Sequence, residues 1–122
     1  MPRRNDGLHI IVANEPRAYR EALVGVLAAR SPRDEVNAAE PSEIDELLRR
    51  RPGALVICTE VSEIVSELAG AWVRLDAEGG VAVSSFLDGQ AMARRDGLGA
   101  VLDAVDAAGE SLRDQRSRPV SL

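Results

Sequence analysis

The sequence predicts an α/β fold, a three-layer sandwich in which helices cover both faces of a five-stranded parallel sheet. Three observations predict this fold. Short apolar runs alternate along the chain with amphipathic stretches of helical spacing. Two of the runs, 9–13 (HIIVA) and 54–58 (ALVIC), are apolar almost throughout, as expected for strands that are buried on both faces. The length of 122 residues suits one domain with one core.

The predicted elements follow one another in a regular order. In the first half of the chain they are a strand at 9–13, a helix at 17–30, a weak strand at 34–39, a helix at 41–51 and a strand at 54–58. In the second half they are a helix at 61–70, a strand at 71–76, an ambiguous segment at 78–90, a short strand at 91–94 and a helix at 96–112. With the ambiguous segment counted as the fourth of five helices, the pattern is that of a parallel sheet.

Individual residues are assigned to helix faces and helix ends on the same grounds. Arg20 is placed on the polar face of the first helix. Ser42, Ser62 and Asp96 are predicted as N-caps of the later helices, because serine and aspartate accept hydrogen bonds from the first free N–H groups.

Composition excludes several function classes. The net charge of −5 argues against nucleic-acid binding by this chain, because phosphate contacts need a basic face. Neither a membrane span nor a signal peptide is predicted, so we expect a cytoplasmic protein. One cysteine and one histidine leave no internal disulfide and no zinc cluster. All fifteen basic residues are arginine, which favours a GC-rich genome.

Three stretches resemble the receiver domain of two-component response regulators, in particular receivers of LuxR/NarL-type transcription factors. IIVANEPRAYREAL is similar to the first strand, the acidic pair and the first helix of that family, and RPGALVIC to the strand that carries the phosphate-accepting aspartate. ARRDGLGAVLDAVDAA is similar to the last strand and helix. The resemblance covers about 8–112 and implies a (βα)5 flavodoxin-like, CheY-like fold, with an actinobacterial source.

The end of the chain carries a weaker resemblance. RPVSL, residues 118–122, is similar to the start of a LuxR-type helix-turn-helix domain. We therefore expect a receiver-like domain at 1–112, followed at 113–122 by a linker towards a C-terminal domain that would make any contact with DNA.

Carried onto this chain, the family's phosphorylation pocket is degenerate. Its acidic pair falls on Asn14 and Glu15, its acceptor aspartate on Cys58, its hydroxyl residue on Asp76 and its lysine on Arg95. Phosphoryl transfer of this kind needs a carboxylate nucleophile and a cation held by oxygen ligands. The resemblance thus implies a pseudo-receiver that is not phosphorylated, with a vacated pocket formed by Asn14, Glu15, Cys58, Thr59, Asp76 and Arg95.

Other interpretations of these residues are open. One pair of interpretations concerns Cys58, whose thiol is either buried and inert or reactive. A second interpretation makes Thr59 or Glu60 the residue that accepts the phosphoryl group, displaced from its usual position. A third makes Glu15 and Asp76 either the remainder of a metal site or two carboxylates with a structural role. The glycines at 97 and 99 only weakly suggest dinucleotide binding, since the third glycine of that motif is missing.

Two functions remain, and neither is enzymatic nor requires a cofactor or metal. The first is a regulatory module that acts through homodimerisation or partner contacts, for which the last helix offers one apolar stripe, Leu98, Val101, Leu102 and Val105, that serves either the core or a partner. The second is a receiver that senses a small molecule in the vacated pocket. An open pocket larger than a metal site would favour the second function.

Overall fold

The computed structural model describes residues 7–76, 81–84 and 97–117. The strands are β1 (His9–Ala13), β2 (Glu35–Ala38), β3 (Leu55–Cys58), β4 (Ala71–Leu75) and β5 (Val81–Ser84). The helices are α1 (Arg17–Arg30), a 3₁₀ turn (Pro41–Glu43), α2 (Ile44–Arg50), α3 (Glu63–Leu68) and α4 (Leu98–Ser117). The α/β class and the five-stranded sheet are confirmed.

The sheet is mixed, which corrects the prediction of an all-parallel sheet. Its strand order is β2-β1-β3-β4-β5, and the first four strands are parallel. β5 instead pairs with β4 in the antiparallel direction. Only 76–80 separate the two strands, whereas a parallel crossover needs a dozen or more residues, so a direct reversal is the connection that this length permits.

The ambiguous segment therefore contains a strand at 81–84 where a receiver would place a helix. Four α-helices, not five, are present in the described part of the chain. The strand predicted at 91–94 and the cap predicted at Asp96 lie outside the described residues.

Hydrophobic residues form a core on each face of the sheet. On one face, α1 and α4 pack through residues such as Leu23 and Val101 against a cluster that includes Ile10 and Ile57. On the other face, α2 and α3 pack against a second cluster. The alternation of side chains along β1 and β3 supplies both clusters, because neighbouring residues of a strand point to opposite faces.

Arg20 is buried, which corrects its placement on the polar face of the first helix. It is 3% exposed. Its Nη1 donates to the carbonyl oxygen of Ala39 at 2.8 Å, and its Nη2 lies 3.6 Å from Oε2 of Glu40. The guanidinium thereby satisfies a backbone acceptor just beyond β2, where it is compensated by a carboxylate.

Of the two predicted N-caps that the structure describes, the cap at Ser62 is confirmed and the cap at Ser42 is wrong. Ser62 caps α3, since its Oγ accepts from the Val65 N–H at 3.1 Å. Ser42 does not cap α2, because the 3₁₀ turn begins earlier. There the Glu40 N–H donates to Oε1 of Glu43 at 2.9 Å.

The last helix continues beyond the predicted domain end at residue 112, to Ser117. Arg113 lies in this extension, and its Nη2 donates to Oδ1 and Oδ2 of Asp34 at 3.0 and 3.2 Å. Asp34 also accepts from the Leu8 N–H at 2.9 Å. This carboxylate therefore joins the last turns of α4 to the segments that enter β1 and β2.

The apolar stripe of α4 serves the chain's own core. Val101 is fully buried and Val105 is 5% exposed, whereas Leu98 is 42% exposed. Leu102 is half-buried against the same core. Leu98 is thus the stripe residue left at the surface.

In the described part of the chain, no helix is long and apolar enough to cross a membrane.

Candidate functional site

The carboxyl ends of β1 and β3 form the centre of the candidate site. The two strands are parallel neighbours, with Ala13 opposite Cys58. From β1 the chain continues to β2 on one side, while β3 is followed by β4 on the other side. Ligands in open α/β sheets bind where the strand order reverses in this way.

A cavity of about 350 Å³ lies at this position. Three of the six predicted pocket residues, Glu15, Cys58 and Thr59, line it. The other lining residues come from the end of β1, the 3₁₀ turn, the first turn of α2 and the segment before α3: Ala13, Pro41, Ile44, Asp45, Glu60, Val61 and Ser62. The volume exceeds that of a metal site and lies near the lower end of the range for small-ligand pockets.

Neither Asn14 nor Asp76 lines this cavity. Asn14 is fully buried but does not line it, and its side-chain amide has no hydrogen-bond partner among the described residues. Asp76 is half-buried and does not line it either. Arg95 lies outside the described residues.

A hydrogen bond between the two strand ends holds the site together. The Glu15 N–H donates to Oγ1 of Thr59 at 2.8 Å. Thr59 is therefore a structural link between the segments that follow β1 and β3. This contact fixes the backbone of Glu15 while leaving its exposed carboxylate beside the cavity.

Burial controls the chemistry of Cys58. The residue is 1% exposed within the core on the α2 and α3 face. Burial raises the pKa of its thiol to about 12, although the nearby positive charge of Arg74 acts in the opposite direction. A thiol with this pKa stays protonated at neutral pH, so it is a poor nucleophile and a poor metal ligand.

The described residues show no cluster of metal-ligating side chains at this edge. No group of three or more histidine, cysteine, aspartate or glutamate residues in the described part of the chain is placed to hold a metal ion. Glu15 and Asp76 differ in position as well, since only Glu15 lines the cavity.

The chain matches no family model, no curated protein and no solved structure.

Its resemblance to receiver domains therefore rests on its own residues.

Seven of the lining residues were not among the predicted pocket residues, and two of them, Asp45 and Ser62, are joined by a hydrogen bond. The Ser62 hydroxyl donates to Oδ1 of Asp45 at 2.9 Å, which joins the first turn of α2 to the start of α3. Topology carries the signal that would have identified them. In a parallel sheet every segment from a strand to the next helix lies at the same edge, so 39–45 and 59–62 both belong to the edge that carries the cavity.

Proposed function

We propose that this chain is the N-terminal regulatory domain of a LuxR/NarL-type transcriptional regulator, a receiver-like domain that works without phosphorylation. It acts through dimerisation or partner contacts. The strand order β2-β1-β3-β4-β5 supports a flavodoxin-like arrangement through β4, from which the antiparallel β5 departs.

The burial of Cys58 carries this proposal. The position that accepts the phosphoryl group in receivers holds here a thiol that is 1% exposed and has a pKa raised to about 12. Such a group supplies neither a carboxylate nucleophile nor a hard oxygen ligand for Mg²⁺. Asn14, fully buried, replaces one further carboxylate with a neutral amide.

The proposal is tested by titrating the protein with Mg²⁺ and beryllofluoride, which mimics an acyl phosphate. Backbone amide shifts are followed at Glu15, Cys58 and Thr59. We expect no saturable shift up to millimolar concentrations, because the carboxylates that would hold the cation and the beryllium are missing. Saturable shifts at these residues would overturn the proposal.

The Asn14→Asp/Cys58→Asp double variant is the matched control. It restores two carboxylates at the positions that the resemblance identifies. A response to Mg²⁺ in this variant would support the assignment of those positions, provided that its spectrum shows a folded protein. A parallel titration of a receiver that is known to be phosphorylated checks the reagent.

The cavity favours ligand sensing as a second candidate function. Its volume of about 350 Å³ is that of a small-molecule pocket, and it contains Glu15, Cys58 and Thr59. A ligand there would contact the segments that follow β1 and β3 together with the first turn of α2. Binding could thus change how α2 and α3 are presented to a partner. Saturable binding of a small molecule at the cavity tests this function.

A further inference from the structure

The described lining of the cavity combines acidic and apolar residues. Three carboxylates, of Glu15, Asp45 and Glu60, border it, and no described lining residue is basic. The apolar side chains are those of Ala13, Pro41, Ile44, Cys58 and Val61. A ligand that matches this lining carries positive charge at one end and an apolar body.

Two of the carboxylates have no counter-charge within the described protein. Glu15 and Glu60 make no ion pair or hydrogen bond through their carboxylates to any described residue. Elsewhere, six carboxylates are each paired with an arginine: Glu21, Asp34, Glu35, Glu40, Glu46 and Asp106. Among the described residues, arginines thus compensate carboxylates away from the cavity, and none pairs with Glu15 or Glu60.

The position of the cavity in the sheet supports ligand binding separately from its charge. It lies at the reversal of strand order between β1 and β3, the place where open α/β sheets bind ligands. Two hydrogen bonds link the segments that line it: the Glu15 N–H donates to Oγ1 of Thr59, and the Ser62 hydroxyl donates to Oδ1 of Asp45. These links hold the pocket in place before any ligand arrives.

We propose that this cavity binds a small organic cation, an ammonium group attached to a compact apolar body. The inference rests on the ligand-sensing function proposed above and names the chemical class of its ligand. The ammonium group lies between Glu15 and Glu60 with Asp45 nearby, and the apolar body packs on Ile44 and Val61. Phosphates and carboxylates are disfavoured, since the described lining offers them only negative charge.

A bare metal ion fits this lining less well than an organic cation. The described carboxylates do not converge into a group of three that could coordinate one ion. An ammonium group tolerates looser geometry, because its hydrogen bonds and charge interactions do not require a closed coordination shell.

The test compares fragments that differ in charge but share one apolar body. Benzylamine, benzyl alcohol and benzoate are titrated into the protein, and backbone amide shifts are followed at Thr59, Val61 and Ser62. We expect saturable shifts for benzylamine and weaker or absent shifts for the other two. The Glu15→Gln/Glu60→Gln variant should bind benzylamine roughly tenfold more weakly, since two exposed charge interactions with the ammonium group are lost.

The Glu63→Gln variant is the matched control. It removes one exposed acidic side chain of α3 that does not line the cavity, so affinity should stay within about twofold. Equal weakening in Glu63→Gln and in the double variant would overturn the inference, because attraction would then come from net charge alone.

The remaining outcomes separate this inference from the proposed functions. Stronger binding of benzyl alcohol or benzoate at the cavity would overturn the cation class and leave ligand sensing standing. An absence of saturable shifts for all three fragments at millimolar concentration would overturn the inference and count against ligand sensing. Neither result bears on the unphosphorylated receiver, which the beryllofluoride titration tests separately.

Discussion

Single residues define what the strand ends can do chemically. Cys58 stands at the end of the central strand β3, and its burial favours the neutral thiol. Of the two interpretations that the sequence left open, the structure favours the inert thiol over the reactive one. The same burial that stabilises the core thus removes a nucleophile from the edge of the sheet.

Alkylation of Cys58 should be slow in the folded protein. With a pKa of about 12 and 1% exposure, the thiol is neither ionised nor accessible at neutral pH. Iodoacetamide trapping followed by mass spectrometry measures this, and Cys58 is the only cysteine in the sequence. Rapid, complete labelling in urea is the control. Native labelling at the rate of a free model thiol would contradict the burial.

His9 makes stability depend on pH. Burial lowers the pKa of its imidazole, Arg51 lowers it further, and Glu35 opposes both. The unfolded chain, with a pKa of about 6.5, therefore binds the proton more readily than the folded one. The stability that His9 contributes should be fully present above about pH 6.5. The free energy of unfolding should decrease as the pH falls below that value.

This pH dependence is measured by urea unfolding at pH 7.5 and 5.5. His9→Gln is the control, because no other histidine is present to titrate in that window. The loss of stability on acidification should be smaller in the variant. An identical loss in both proteins would show that another group is responsible.

Helix ends and helix faces are decided at the scale of the element. α3 has only 6 residues, and a helix this short depends on its cap and its packing rather than on its propensity. Ser62 supplies the cap and also donates to Asp45, so one side chain joins α3 to α2. In α4, two valines of the apolar stripe belong to the core.

Ser62→Ala should destabilise the protein by about 1 kcal/mol, because the Val65 N–H loses its acceptor at the start of α3. Urea unfolding gives the value. Ser66→Ala is the matched control, since Ser66 is an exposed residue of the same helix, and it should change stability by less than about 0.5 kcal/mol. Equal effects of the two substitutions would argue against the cap.

The stripe of α4 predicts different effects for two of its residues. Val101→Ala should lower stability by about 2 kcal/mol, because a fully buried side chain loses two methyl groups. Leu98→Ala, at an exposed position, should change stability by less than about 0.5 kcal/mol. Sedimentation equilibrium shows whether either variant alters assembly. Dissociation of a dimer by Val101→Ala without loss of stability would contradict the core assignment.

At the scale of the whole molecule, distant segments meet at two glycines. Gly53 has a φ of 98°, the left-handed region that favours glycine, and its N–H donates to the Leu68 carbonyl at 2.9 Å. Gly70 donates to the Ala54 carbonyl at 2.8 Å. A Cβ on Gly70 would lie 2.6 Å from both the Gly53 carbonyl oxygen and Cδ2 of Leu112, so the turn before β3, the start of β4 and α4 converge here.

Gly70→Ala should therefore destabilise the protein by about 2 kcal/mol, since the backbone of Gly53 cannot move aside without breaking these hydrogen bonds. Gly25→Ala is the control, at an open position in α1, and should stabilise the protein by roughly 0.5–1 kcal/mol. Thermal and urea unfolding of both variants decide the matter. A neutral Gly70→Ala would show that the close approach is absent.

The sequence by itself determined most elements up to β4. β1 and α1 have the predicted bounds, and β3 and β4 differ from their predictions by single residues, because apolar runs and helical spacing are local properties. The resemblance to receivers also placed Glu15, Cys58 and Thr59 in one pocket, and all three line the cavity.

Only the tertiary structure decided the rest. The burial of Arg20 and the place of Asp45 in the cavity each depend on a partner more than fifteen residues away along the chain. The direction of β5 became apparent only from its pairing with β4. The sequence likewise left open whether the apolar stripe of α4 packs in the core or in a dimer interface, and the structure places Val101 and Val105 in the core. Local periodicity records which residues share a face, but what that face meets is set by long-range packing.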